Sequence, residues 1–315
     1  MPISILCATD NNFAPYCGIM LTSLFENNLD SRFEVYVLAN GDILESHKRK
    51  FNDLGQKYGS RITWMTVDES KVEAFPTHIR RITRPTYYRL FAAELLPQDL
   101  DRVIYLDCDL LVVGDIKPLW EIDLTGNALA CVTDSLEKGI ERLGYPKSEG
   151  YFNAGVLVLN LQYWRENGVG AKLTSHAMNH RADLKMMDQD ILNGVLHAQK
   201  VLLPPRFNFQ TFFFATDRRL NYSDAFRISL SQESDSVVIV HYVGNEKPWN
   251  FRLYGGPFFS LWEKFRRRSF WRNDCVRKPY FKYIKHVLKR RCFLGLFARQ
   301  HPQWSFSPEI RRYYR

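Results

Sequence analysis

The feature that most constrains this chain is the regular exchange of two hydrophobic periodicities over its first 125 residues. ISILCAT (3–9) is a continuous apolar, β-rich run; after the loop DNNFAPY comes an apolar helical stretch, CGIMLTSLFEN (17–27). FEVYVLAN (33–40) reads as a second strand, SHKRKFNDLGQKYG (46–59) as an amphipathic helix and RITWMTVD (61–68) as a third strand. TYYRLFAAELLP (86–97) reads as helical and stops at its proline, and DRVIYLDCDLLVVGD (101–115) as a buried strand running into a loop. Strand–helix alternation of this kind specifies an α/β class, with a doubly wound, mostly parallel sheet. Further strand-like runs follow at ALACVTD (128–134), GVLVLNL (155–161) and SVVIVHYV (236–243), with a helix over DQDILNGVLHAQ (188–199). In such sheets ligands collect at the carboxyl ends of the strands, which is where chemistry should be sought.

Composition narrows the class further. At 315 residues, 45% apolar and 14% aromatic, the chain can fill one large core. It contains no run of about 18 apolar residues that could span a bilayer. The start, MPISILCATDNN, lacks the basic region, apolar core and cleavage site of a secretory signal, so a cytoplasmic protein is expected. The six cysteines are scattered, with no CxxC pair, and read as single buried thiols. Charge is uneven. Residues 264–315 hold 16 Lys+Arg against 2 Asp+Glu, a balance of +14 in a chain whose total is +9, so the body is acidic and the tail alone is basic. One domain over 1–262 and a basic, aromatic tail over 263–315 is the simplest organisation.

The sharpest local feature is Asp107-Cys108-Asp109, where an apolar strand emerges. In extended backbone residues two apart face the same side, so both carboxylates can converge on a cation. Paired acids at strand ends are also ordinary solvated or capping groups, and spacing alone leaves both readings open. Asp10 and Asn12 follow the first strand, Asp188-Gln189-Asp190 opens a helix, and His241 ends another strand with Gly244 and Lys247 close behind. Each has a bland explanation by itself, such as a helix cap for Asp188. Together they place a DxD pair, an imidazole, an ammonium and amides at one edge of a sheet.

These segments resemble glycosyltransferase family 8, which includes bacterial lipopolysaccharide galactosyl- and glucosyltransferases and, more distantly, glycogenin. The matching pieces are CATDNNF (7–13), FP-x-x-IR-x-I-x-x-x-TYYRL (75–90), VIYLDCDLLV (103–112) and DIKPLWEIDL (115–124), followed by YFNAGVLVLNLQYWR (151–165), DQDILNG (188–194), RFNF (206–209) and HYVGNEKPW (241–249). They occur in family order and cover about residues 1–250. The resemblance implies a GT-A fold and retaining transfer of a hexose, glucose or galactose, from a UDP-sugar. It implies Mn2+, with Mg2+ as an alternative, held by Asp107, Asp109 and His241; hard oxygens with one imidazole suit that ion. It places Ala8, Asp10, Asn12 and Phe13 at the nucleoside, with Phe13 in place of an expected tyrosine. It sets Gly244 and Lys247 at the diphosphate, and Arg89, Asp134, Asn153, Asp188 and Gln189 around the transferred sugar. Asp188, Gln189 and Lys247 are the implied catalytic residues, and His78–Arg81 an implied acceptor contact. An amide is a poor nucleophile, so front-face substitution is favoured over double displacement through Gln189.

In the tail, Tyr280, Ile284, Val287 and Leu288 share one helical face with Lys282, Lys285, Lys289 and Arg290 largely off it, the pattern of an interfacial helix. Packing of these aromatics onto the body is the alternative. An anionic membrane surface is the expected partner, not nucleic acid. The expected setting is the cytoplasmic face of the inner membrane, with a glycolipid or oligosaccharide acceptor, the lipopolysaccharide core. Three rivals compete: a dehalogenase-type phosphatase, whose DxD normally opens the chain, a self-glucosylating primer, and an inactive membrane adaptor keeping the fold.

Overall fold

The computed structural model describes residues 2–77, 83–134, 138–214, 224–244, 247–249 and 258–274. The apolar run after the N-terminus forms β1 (Ile3–Ala8), flanked in parallel by β2 (Phe33–Ala39) and β4 (Arg102–Leu106), with β3 (Arg61–Thr66) parallel to β2. The sheet continues through β7 (Phe152–Asn160), antiparallel to both β4 and β6 (Leu129–Thr133), and ends with β8 (Lys200–Leu202) parallel to β6. The order is β3-β2-β1-β4-β7-β6-β8, an α/β sheet that is mostly parallel, as the alternation predicts. Helices cover both faces because the central strands are apolar on both sides; β1 and the first eight residues of β7 are buried throughout.

A second, three-stranded sheet was not legible in the sequence. It is made of β5 (Leu110–Val112), β10 (Ile239–His241) and β9 (Phe209–Gln210), with β10 central, antiparallel to β5 and parallel to β9. The run 101–115, expected as a buried strand running into a loop, is therefore two strands in different sheets, with Cys108 and Asp109 in the turn between them. The stretch expected as a helix near residue 86 is a 3-10 helix, Arg84–Phe91, followed by one α-turn, Ala92–Leu95, ending before Pro97 as expected.

On one face α1 (Ala14–Glu26) and α2 (Glu45–Lys57) pack together with the small sheet and the helix Phe259–Arg268. The opposite face carries the 3-10 helix and the helices Leu161–Glu166, Val169–Asn179 and Asp188–Leu196. Polar residues at the end of α1 stitch it to the strand after the DxD. Ser23 Oγ accepts from Val112 N at 2.9 Å, Asn27 Nδ2 donates to Val112 O at 3.0 Å, and Asn28 bonds Gly114 O and Ile116 N at 3.2 and 2.9 Å.

The first residues of the basic segment pack on this body. Phe265 and Trp271 are buried, and Trp271 lies against Gly18 of α1 so closely that a Cβ there would come within 2.1 Å of the indole. Its Nε1 donates to His47 Nδ1 at 3.1 Å, its ring meets Phe51 at 4.7 Å, and Arg268 pairs with Glu26 at 2.7 Å. The interfacial helix expected after Pro279 lies outside the described residues. Among the described residues no helix is long and apolar enough to cross a membrane.

Candidate active site

The carboxyl ends of β1 and β4 and the seam between the two sheets meet in one cleft. Asp107 closes β4, Asp109 stands in the turn leading to β5, and His241 ends β10. One ligand atom from each comes within 4.8 Å of the others. His241 Nε2 is 3.1 Å from Asp109 Oδ1 and 3.9 Å from Asp107 Oδ2. The two acids thus converge as the spacing suggests, but through a turn between sheets rather than by alternation along one strand. Two carboxylates and one imidazole make a hard, mostly oxygen donor set suited to Mn2+ or Mg2+. Gly155 leaves room for it: a Cβ at that position would meet His241 Cε1 at 2.1 Å and Asp107 Oδ2 at 2.8 Å. The donors present fit a divalent cation.

Electrostatics around the acids are tightly arranged. Burial opposes ionisation of Asp109, but Lys247 and His241 outweigh it and hold its carboxyl well below the usual range. The Lys247 ammonium contacts Asp109 Oδ2. Asp107 Oδ1 accepts from Arg89 at 2.7 Å and from the Tyr105 hydroxyl at 2.9 Å. Arg89 itself is 4% exposed; it lies over the Tyr105 ring, donates to Ala154 O at 2.6 Å and pairs through Nε with Asp188 at 3.2 Å. Expected at the sugar, Arg89 is a buried bridge between the DxD and Asp188. Its bonds to two carboxylates outweigh desolvation and keep it charged.

Asp188 is not a helix cap. It follows Met187, whose φ of 53° lies in the left-handed region, and its carboxylate turns inward to the Thr86 hydroxyl and Arg89. Burial raises its pKa to about 6 against the pull of Arg89. The folded state therefore binds this proton more tightly than the unfolded chain, so ionised Asp188 weakens folding at neutral pH, and the penalty is relieved as pH falls through about 6. Asp188→Asn is expected to stabilise the fold by about 1–3 kcal/mol at pH ~8, with the gain shrinking toward pH ~4. Urea unfolding at the two pH values checks this; equal gains at both would reject it.

Asp190, two residues on, is fully buried and accepts from Arg142, Tyr151 and the backbone N–H groups of Lys185 and Met186 at 2.6–2.7 Å. That saturation makes it a scaffold for the strained turn at Met187. Asp134, Asn153 and Gln189 form one buried cluster. Asn153 Nδ2 donates to Asp134 Oδ2 at 2.9 Å, Gln189 Nε2 donates to the same oxygen at 3.2 Å, and Ala154 N donates to Gln189 Oε1 at 3.0 Å.

The residues expected at the nucleoside lie where β1 turns into α1. Asp10 Oδ1 accepts from the N–H groups of Asn12 and Phe13, both at 2.9 Å, and so caps the entry to α1, while the Asn12 side chain is exposed. Ala8 is buried, and its carbonyl accepts from Cys108 Sγ at 3.2 Å. Phe13 stands edge-on to Tyr16 and Trp249, which stack on each other at 3.9 Å, so two further aromatic rings join it. Gly244 has φ 77°, which only glycine adopts freely, so it permits the bend that follows β10. His78–Arg81 lie outside the described residues. Cys7 and Cys17, read as isolated thiols, lie 3.4 Å apart beneath this edge, and both are free. Sequence reasoning missed Asn208, Gly155, Tyr105 and Thr86. Asn208 and Gly155 lie inside the quoted segments RFNF and YFNAG, but nothing in their residue type announces contact with a histidine 33 or 86 positions away.

The model of glycosyl transferase family 8 matches residues 4–252. General stress protein A of Bacillus subtilis is 31% identical over 254 residues, covering 78% of this chain and 87% of that protein. Lipopolysaccharide 1,2-glucosyltransferase of Escherichia coli is 28% identical over 308 residues, covering 94% and 88%. The crystal structure of the galactosyltransferase LgtC with donor and acceptor sugar analogs superposes with a TM-score of 0.78 at 29% identity, covering 85% of this chain and 96% of that one. With the family model spanning most of its length and a GT-A fold to match, this chain belongs to glycosyltransferase family 8.

Proposed function

We propose that this protein is a metal-dependent, retaining hexosyltransferase that moves glucose or galactose from a UDP-sugar to a lipopolysaccharide-core acceptor. The carrying observation is the convergence of Asp107, Asp109 and His241. Two carboxylates facing a diphosphate would repel it; a cation held between them reverses that sign. The acceptor class rests on relatives named as lipopolysaccharide 1,2-glucosyltransferase and 1,3-galactosyltransferase.

A bound Mn2+ or Mg2+ would neutralise the diphosphate and stabilise the departing UDP. The protein's own groups supply the rest. Lys247 brings a positive charge to the cleft where the leaving group develops negative charge, and the Gly244 turn allows backbone to approach it closely. Phe13 offers a ring to the uracil, and Asp10 and Asn12 its polar contacts. Gln189 is tied at both ends of its amide and Asp190 is saturated by four donors, so neither is free to attack the anomeric carbon. That favours front-face substitution: the bond to UDP breaks, the acceptor oxygen bonds to the same face, and its proton passes to a departing phosphate oxygen. Asp188 and Asp134 supply negative charge near the sugar as oxocarbenium character develops.

The membrane-facing segment is assigned to residues beyond 274. Residues 275–315 still carry 11 Lys+Arg against one acid, enough for reversible attachment at about 1 kcal/mol per basic group on an anionic leaflet. This sets the enzyme on the inner face of the cytoplasmic membrane, beside a glycolipid acceptor. The test is a donor screen: purified protein, Mn2+ and a panel of UDP-sugars, with UDP release followed with and without EDTA. Turnover of UDP-glucose or UDP-galactose that EDTA abolishes is expected; EDTA-insensitive turnover would reject the metal role. A mass increase on the protein itself would instead favour a self-glucosylating primer.

A further inference from the structure

The side chain behind His241 is Asn208, which precedes β9 and is fully buried. Its Oδ1 is 2.9 Å from His241 Nδ1 and its Nδ2 is 2.9 Å from Asn153 Oδ1. Either amide could in principle be turned over, so the direction of donation must come from groups that cannot turn. Backbone supplies one. Gly155 N donates to Asn153 Oδ1 at 2.9 Å, which makes that atom an oxygen. Asp134 agrees from the other end, since a carboxylate can only accept from Asn153 Nδ2. With Asn153 fixed, Asn208 must donate its Nδ2 to it and must present its Oδ1 to the imidazole. Nδ1 of His241 therefore carries a proton, which in the neutral imidazole leaves the lone pair on Nε2, facing Asp107 and Asp109.

We infer that Asn208 is a positioning residue that holds His241 in the Nδ1–H tautomer, leaving Nε2 free as a metal ligand. The inference rests on the metal reading above, and it adds that the ligand is prepared before any cation arrives. Left alone, a neutral imidazole 3.1 Å from Asp109 Oδ1 would place its proton on Nε2 and donate to that carboxylate, which would block ligation. The acceptor supplied by Asn208 opposes that choice. Its orientation is set by Asn153, so the metal ligand is ultimately aligned by a backbone amide of β7.

Two measurements test this without relying on transfer activity. The first is Mn2+ binding with UDP present, read from the loss of the free Mn2+ spin-resonance signal. Asn208→Ala should weaken binding about 10–100-fold, as removing the outer partner of a ligating histidine does, while Asn208→Asp, which still accepts from Nδ1–H but sets a carboxylate oxygen against Asn153 Oδ1, should recover part of it. Equal affinity in wild type and Asn208→Ala overturns the inference. Wild type that binds no Mn2+ overturns the metal reading instead. The second reads the wild-type protein, with His241→Ala serving only to assign its signal, so it does not depend on the Asn208 variants folding. With 15N-histidine and His241→Ala to pick out one of the eight histidines, the metal-free enzyme is examined at pH ~9, above the ordinary histidine range. A protonated Nδ1 supports the assignment; a bare Nδ1 with the proton on Nε2 overturns it.

Discussion

Adding one methyl group at Gly155 should abolish divalent-metal binding while leaving most of the fold in place. The new Cβ would lie 2.1 Å from His241 Cε1 and 2.8 Å from Asp107 Oδ2, inside any tolerable contact, and both neighbours are held. Asp107 is pinned by Arg89 and Tyr105, and His241 by Asn208. The imidazole must therefore swing or β7 must shift, and either breaks the ligand triangle. Overpacking of this kind costs about 1–3 kcal/mol in stability. Gly155→Ala should thus show at least a ~100-fold loss in Mn2+ affinity with a modest fall in melting temperature, the affinity change being the larger of what outer partners alone contribute. Calorimetric Mn2+ titration beside a thermal melt checks both. Normal Mn2+ binding by Gly155→Ala would mean that His241 is not a ligand.

Trp271→Ala should destabilise the protein by about 3–5 kcal/mol, the range for emptying a well-packed aromatic site. The indole is fully buried between α1 and α2, and the glycine it rests on cannot close the gap by moving a side chain it does not have. Part of the loss is the hydrogen bond to His47 Nδ1, which requires a neutral imidazole. Burial, with help from Lys50, pushes the His47 pKa down. The unfolded chain then binds that proton more readily, so stability falls as pH drops through the ordinary histidine range, and this component should vanish in the variant. Guanidinium unfolding of both proteins at pH ~8 and pH ~5.5 measures the two effects; a loss under about 1 kcal/mol would show that the C-terminal segment is only loosely attached.

Legibility in the sequence followed the range of the interactions concerned. β1, β2, β3 and α2 were readable because their periodicity is local and each has one dominant environment. β10 was readable within SVVIVHYV, but the short strands β5 and β9 were not, since two or three residues carry no period and their sheet joins segments about 30 and more than 120 positions apart. The same division runs through the site. Asp107, Asp109 and His241 were identifiable as candidates by residue type at strand ends, and their grouping came through the family resemblance. That Arg89 is buried between two carboxylates was not readable, because burial is a tertiary property that its arginine side chain gives no hint of. Trp271 read as part of a basic tail for the same reason: its neighbours in sequence are charged, whereas its neighbours in space are Gly18, His47 and Phe51.

One consequence follows from how α1 is fastened. The loop entering it is tied by Asp10, its middle is wedged by Trp271, and residues at its C-terminal end grip the backbone of β5. The helix is therefore a jig that sets the distance between the loop after β1 and the strand on which the DxD turn depends. A shift at one end of α1 therefore strains the packing at the other, because eleven of its thirteen residues are buried between them.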